Sequence, residues 1–241
     1  MRDLSHQAVG RSAADLDAAI RAARSDARHT RKMLTLPLLQ HHLGVSTAAL
    51  DESGVYRVAV HEAGHAIAAA ALEIGSIMSM QVTADGGMVI RQPRMHHCLI
   101  GDVEAEITFS LAGRAAERLI FGEVSTGAGG QQNSDLAKAT RSALDIETTY
   151  GLGMLGPVWH ARPGDVHLTN AHIRDRVRQR IERAEKRAGV ILGRNRDTLE
   201  ALARELARER SLRAADIQPF LTGISRGPEA KPATTTEETT P

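Results

Sequence analysis

His61-Glu62-Ala63-Gly64-His65 reads H-E-x-x-H, a spacing with one well-defined chemical use. Residues four apart on an α-helix lie about 40° apart around its axis, so both imidazoles leave the same face and can close on a single ion. Glu62, beside that pair, falls within reach of a metal-held water and could accept its proton as the water attacks a carbonyl. The pattern is half of a hydrolytic metal site. Eleven histidines make an accidental match conceivable, but the context argues against one. Val55 to Ile74 is a long apolar run crowded with Ala59, Ala63, Ala66, Ala68, Ala69, Ala70 and Ala71, and two imidazoles and a carboxylate buried there would cost energy unless satisfied.

A catalytic zinc takes three protein ligands and keeps one position open, so a further side chain must come from elsewhere. Two carboxylates compete for that place. Asp135 opens a helix directly after the glycine-rich stretch Gly122 to Asn133, and Glu117 lies on the helix before it. Asp135 could equally cap its helix, and Glu117 could serve packing or an ion pair. Spacing alone leaves the choice open.

The elements that must carry these residues are mostly helical. Aromatic residues are 2% of the chain, and alanine and leucine recur three and four residues apart, which favours packed helices over sheets. Helices are expected over residues 13–30, with Ser12 as N-cap, 36–43, 55–74, 102–121, 134–150, 170–192, 196–208 and 214–221. Gly75, Gly122 and Gly151 act as stops. Ile77 to Thr83 and Met88 to Gln92, flanking Asp85-Gly86-Gly87, predict a short hairpin as the one β element.

Composition excludes several function classes. Lys plus Arg total 30 against 29 for Asp plus Glu, so no global field calls for nucleic acid, and the basic stretch Arg174 to Arg187 is interrupted by acids like a solvated helix face. Cys98 stands alone, which rules out an intrachain disulfide and makes a reducing, cytoplasmic setting the simpler expectation. No apolar run reaches the ~20 residues of a membrane helix, and the first residues lack a signal-peptide core. His96, His97, Cys98, His160, His167 and His172 show no spaced partners and are assigned no chemistry, and Ser125 and Thr126 are expected to shape a loop.

Taken together, His61-Glu62-Ala63-Gly64-His65-Ala66, Gly113-Arg114-Ala115-Ala116-Glu117, Phe121-Gly122-Glu123-Val124-Ser125-Thr126-Gly127-Ala128 and Ser134-Asp135-Leu136 resemble, in order, four elements of the peptidase domain of the FtsH family of AAA+ zinc metalloproteases. Tyr150-Gly151 and Leu155-Gly156-Pro157 extend the likeness, which covers roughly residues 55–222. The resemblance implies Zn2+ held by His61, His65 and Asp135, Glu62 as catalytic base, and a supporting role for Glu117. It also implies unfolded polypeptide substrates and a homo-hexamer or an assembly with an AAA+ ATPase. Ala8 to Leu16, Ala22-Ala23-Arg24 and Leu34-Thr35-Leu36 are similar to the last helices of an AAA+ lid subdomain. The expected organisation is a lid remnant over 1–50, a mainly α zinc-peptidase domain with a small β-hairpin over 51–224, and a disordered Thr- and Glu-rich tail over 225–241. No G-x-x-x-x-G-K-[ST] occurs, since Ala128 stands where the lysine would follow Gly127, so no complete nucleotide site is expected in these residues. A non-catalytic scaffold subunit is the alternative expectation. The stretch Gly129 to Gln132 is longer than the family's usual link and should lengthen the loop without moving Asp135.

Overall fold

Alanine-rich segments with apolar residues at helical spacing become the framework of the computed structural model, which describes residues 12–43, 50–83, 86–94, 98–154, 156–159 and 168–226. In order these are α1 (Ala13–His29), α2 (Leu36–His42), α3 (Glu52–Ala71), β1 (Gly75–Thr83), β2 (Gly86–Pro93), α4 (Ile100–Ser110), α5 (Ala112–Phe121), a 3-10 turn (Thr126–Ala128), α6 (Asp135–Thr148), α7 (Ala171–Arg194), α8 (Arg196–Glu209), β3 (Ser211–Arg213) and α9 (Ala214–Leu221). The mainly α class follows the composition. The expectations for Ala8 to Arg11, Asp85, His96, His97, Leu155, His160, His167 and the tail beyond Arg226 lie outside the described residues.

Helix α3 is the central element, buried continuously from Ala59 to Ala69 and packed against α5, α8 and β1. Its small residues allow that crossing. A Cβ on Gly64 would stand 2.7 Å from both the Ala112 carbonyl oxygen and the Ala116 Cβ of α5, so glycine is what lets the two axes approach. One apolar cluster gathers α3, α5, α8 and the inner residues of the sheet, among them Ile67, Met80, Leu199 and Leu206, and a second joins α4, α6 and α7 through Ile107, Leu111, Ile146 and Val177. Helices α1 and α2 pack on each other, with Ser12 capping α1 through Asp15 and His42 Nε2 meeting Asp26 Oδ2 at 3.2 Å.

Three departures from the sequence reading carry physical meaning. The helix expected over 102–121 breaks at Leu111, whose N–H is shared between the Ile107 and Thr108 carbonyls at 3.2 and 3.3 Å. A helix end frees carbonyls, and Phe109 is one of the residues left with an oxygen to offer. Helix α3 stops at Ala71, not Ile74, and Gly75 with φ 145° starts β1. The sheet has a third strand, giving the order β2-β1-β3, with β1 antiparallel to both neighbours and β2 at one edge. Three residues are too few to show alternation, so β3 has no sequence signal of its own.

Candidate metal centre

Ser134 is the N-cap of α6, accepting from the Ala137 N–H at 3.3 Å. Capping is thereby done by the serine, and the carboxylate of Asp135 in the first turn is released toward α3. Its Oδ2 lies 3.2 Å from Nε2 of His61 and 3.2 Å from Nε2 of His65. All three donor atoms fall within 4.8 Å of one another. A tetrahedral zinc with bonds of ~2.0–2.1 Å has ligand-to-ligand edges of roughly 3.3 Å, which the two oxygen–nitrogen distances match.

The outer nitrogens are already engaged. His61 Nδ1 donates to Glu117 Oε1 at 2.8 Å, and His65 Nδ1 donates to the Phe109 carbonyl at 2.9 Å, the oxygen freed by the break at Leu111. With Nδ1 donating behind each ring, Nε2 is the nitrogen turned to Asp135, and a metal displacing its proton there would leave the tautomer that ligation requires. Glu117 is 1% exposed and also accepts from the Ser125 backbone N–H at 2.8 Å and the Ser125 hydroxyl at 3.0 Å. It thus faces the back of His61, and Asp135 faces the front. Of the two carboxylates that spacing left open, Asp135 is the one near both Nε2 atoms.

Burial would raise the Glu117 carboxyl, but the bonds from His61 and Ser125 outweigh it and hold the group down at about 2. Asp135 follows the same balance: burial raises it, and the two imidazoles bring it well below the ordinary carboxylate range. Burial would likewise lower His61, yet Asp135 and Glu117 raise it to about 10. Asp135, which favours a proton on the nitrogen it faces, would favour a metal cation there, while Glu117 holds the opposite nitrogen.

Glu62 is 7% exposed, and burial pushes its carboxyl above the usual glutamate value despite both neighbouring imidazoles. A carboxyl held above its ordinary value is the better proton acceptor when ionised. Gly87 of β2 lies directly on it, since a Cβ there would collide with Glu62 Oε1 and Cγ. Gly113 of α5 stands in the same relation to the His61 ring. The edge strand and α5 therefore wall the site at glycines, where only a bare backbone fits.

The sequence profile of peptidase family M41 matches residues 48–220. The chain belongs to peptidase family M41. It carries the zinc metallopeptidase domain of that family, and its ligand-like cluster fits the family's Zn2+. It is 29% identical over 257 residues to the ATP-dependent zinc metalloprotease FtsH of Rhodococcus erythropolis, an overlap that covers 95% of this chain and 30% of the relative. The FtsH protein of Mycobacterium leprae is 31% identical over 254 residues, 93% of this chain and 32% of its own. That of Thermus thermophilus is 32% identical over 183 residues, 69% and 29% respectively. The chain thus spans about 30% of the length of the curated relatives it matches.

Several residues around the cluster of this M41 domain are not legible in its sequence. Phe109 offers a carbonyl, which no side-chain pattern announces. Gly87 and Gly113 act by lacking a side chain. Arg57 pairs with Glu117 at 3.3 Å and with Glu123 at 2.8 Å, and Lys138 pairs with Asp135 Oδ1 at 3.1 Å. Lys138 had a readable signal, three residues after Asp135 on one helix face, as had Arg57, four before His61.

Proposed function

We propose that this domain is a zinc endopeptidase for unfolded polypeptides, with His61, His65 and Asp135 as the metal ligands and Glu62 as the general base. The observation that carries the reading is the approach of one Asp135 oxygen to both Nε2 atoms while both Nδ1 protons are held from behind. Zinc, when bound, supplies Lewis acidity: it makes water acidic near neutral pH and polarises a peptide carbonyl. Glu62 takes the proton of the attacking water and returns it to the leaving amine. Glu117 and the Phe109 carbonyl keep the imidazoles in register. An extended substrate docks along the edge of β2 that no strand covers among the described residues, by backbone pairing that needs little side-chain specificity, and the contact of Gly87 with Glu62 brings that edge to the base.

The relatives are named as ATP-dependent, and the reading extends to this chain as part of a homo-hexamer or an assembly with an AAA+ ATPase that supplies unfolding. Residues 12–43 take the place of the end of a lid subdomain. Digestion of casein by the zinc-loaded protein tests the reading. Glu62→Gln is expected to abolish cleavage with zinc content intact, and a chelator to abolish it reversibly. Undiminished cleavage by Glu62→Gln would rule out the proposed base. A preparation that binds zinc and joins AAA+ rings in native mass spectrometry yet cleaves nothing would favour the scaffold alternative.

A further inference from the structure

Each of the two imidazoles rests on a helix whose next side chains form a seat for one arginine. Behind His61, α5 presents Glu117 and, four residues on, Phe121. Arg57 of α3 places its guanidinium 4.3 Å from the Phe121 ring centroid, 3.3 Å from Glu117 and 2.8 Å from Glu123. Behind His65, α4 presents Glu106 and, three residues on, Phe109. Arg91 of β2 lies 4.5 Å from the Phe109 centroid, contacts both Glu106 oxygens at 2.8 Å and donates to the Ile74 carbonyl at 2.9 Å. The Phe109 ring in turn meets the His65 ring at 5.1 Å, and its carbonyl accepts the His65 Nδ1 proton.

The structure assigns Arg57 and Arg91 as positioning residues of the metal centre, acting through the two groups that orient the imidazoles. Neither touches the ligand atoms. A guanidinium is a planar fork that can stack on a ring and bind two acceptors at once, and each of these does both. Arg57 fixes the Glu117 carboxylate and ties Glu123, at the start of the glycine-rich loop, to the helix that bears both histidines. Arg91 fixes Phe109 and ties the edge strand to α4, so the metal centre and the strand proposed to receive substrate share one support. The side chains are 27% and 14% exposed, so their contacts are partly shielded from water.

The sign of the effect separates positioning from simple charge. Removing a cation near a metal site should tighten zinc binding if charge alone mattered. Loss of positioning should weaken it, by about tenfold, the lower end of what loss of a ligand's outer partner costs. The inference rests on the zinc reading, so the wild type is measured first. Competition of the apo protein against a chromogenic chelator should give one zinc per chain, and failure there sinks the zinc reading itself. Given that result, R57M and R91M should each bind zinc about tenfold more weakly, with the His Nδ1 proton resonance of the affected imidazole shifted or lost in NMR spectra of the zinc-loaded protein. R114M, which removes a guanidinium of α5 paired with Glu185, should match wild type. R57K and R91K keep the charge and most of the packing but lose the fork, so they too should weaken zinc, and they provide the test if a methionine variant does not fold. Affinities within about twofold of wild type for the arginine variants, tighter binding, or full recovery with lysine would overturn the assignment.

Discussion

At the residue scale the site is governed by what stands behind each reacting group. The role proposed for Glu62 rests on its burial, and it can be buried because Gly87 has no side chain to contest the space. Gly87→Ala should therefore displace the Glu62 carboxylate and lower kcat by roughly 10–100-fold, since a ~1 Å misplacement can cost about that much. Zinc content should stay intact; an equal loss of zinc would show that the strand supports the ligands and not the base. Gly113→Ala makes the opposite prediction. Its methyl would enter the His61 ring, so zinc affinity should fall with activity, measured by the same chelator competition.

At the element scale, α6 must hold Asp135 at its first turn while its far end is anchored elsewhere. The anchor is Glu147, 3% exposed, which bonds Arg180 at 2.8 Å, Arg176 at 3.0 Å and the Met154 N–H at 3.1 Å, while Arg180 reaches Glu104 at 2.8 Å. One carboxylate thus joins α6, α7, α4 and the turn after α6. Breaking a buried pair leaves the partner charge stranded, so Glu147→Ala should destabilise the fold by about 3–5 kcal/mol in chemical denaturation. A loss under about 1 kcal/mol would mean that water replaces the missing carboxylate.

At the scale of the whole molecule, charge pairs make stability depend on pH. Burial would raise Glu147, but its bonds from Arg180, Met154 and Arg176 outweigh that and hold it below 4.5. A carboxyl with a depressed folded pKa contributes stability that is complete above its unfolded value and is lost as pH falls through the folded one. The denaturation midpoint of the zinc-free protein should therefore hold down to about pH 5 and decline below it, less steeply in Glu147→Gln. An identical acid slope in that variant would assign the decline to other groups. Metal acts at this scale too: an ion that binds only the folded state stabilises it by mass action. Chelation should lower the thermal midpoint and speed hydrogen exchange over residues 122–135, whereas unchanged exchange there would mean that Asp135 is held without metal.

The sequence by itself determined the helical class, because alanine and leucine periodicity is a local property that survives in any packing. It also determined the pair His61 and His65 with Glu62, because one helix turn fixes their common face. Several helix ends were legible through Ser12 and Gly122 for the same local reason. Tertiary structure decided the rest. Asp135 and Glu117 are chemically alike, 74 and 56 residues from His61, and only the path of the loop and α6 puts one on each side of the ring. The break at Leu111, the strand β3, the carbonyl of Phe109 and the seats of Arg57 and Arg91 arise from contacts between elements, and no periodicity within a segment encodes which distant backbone will lie against it.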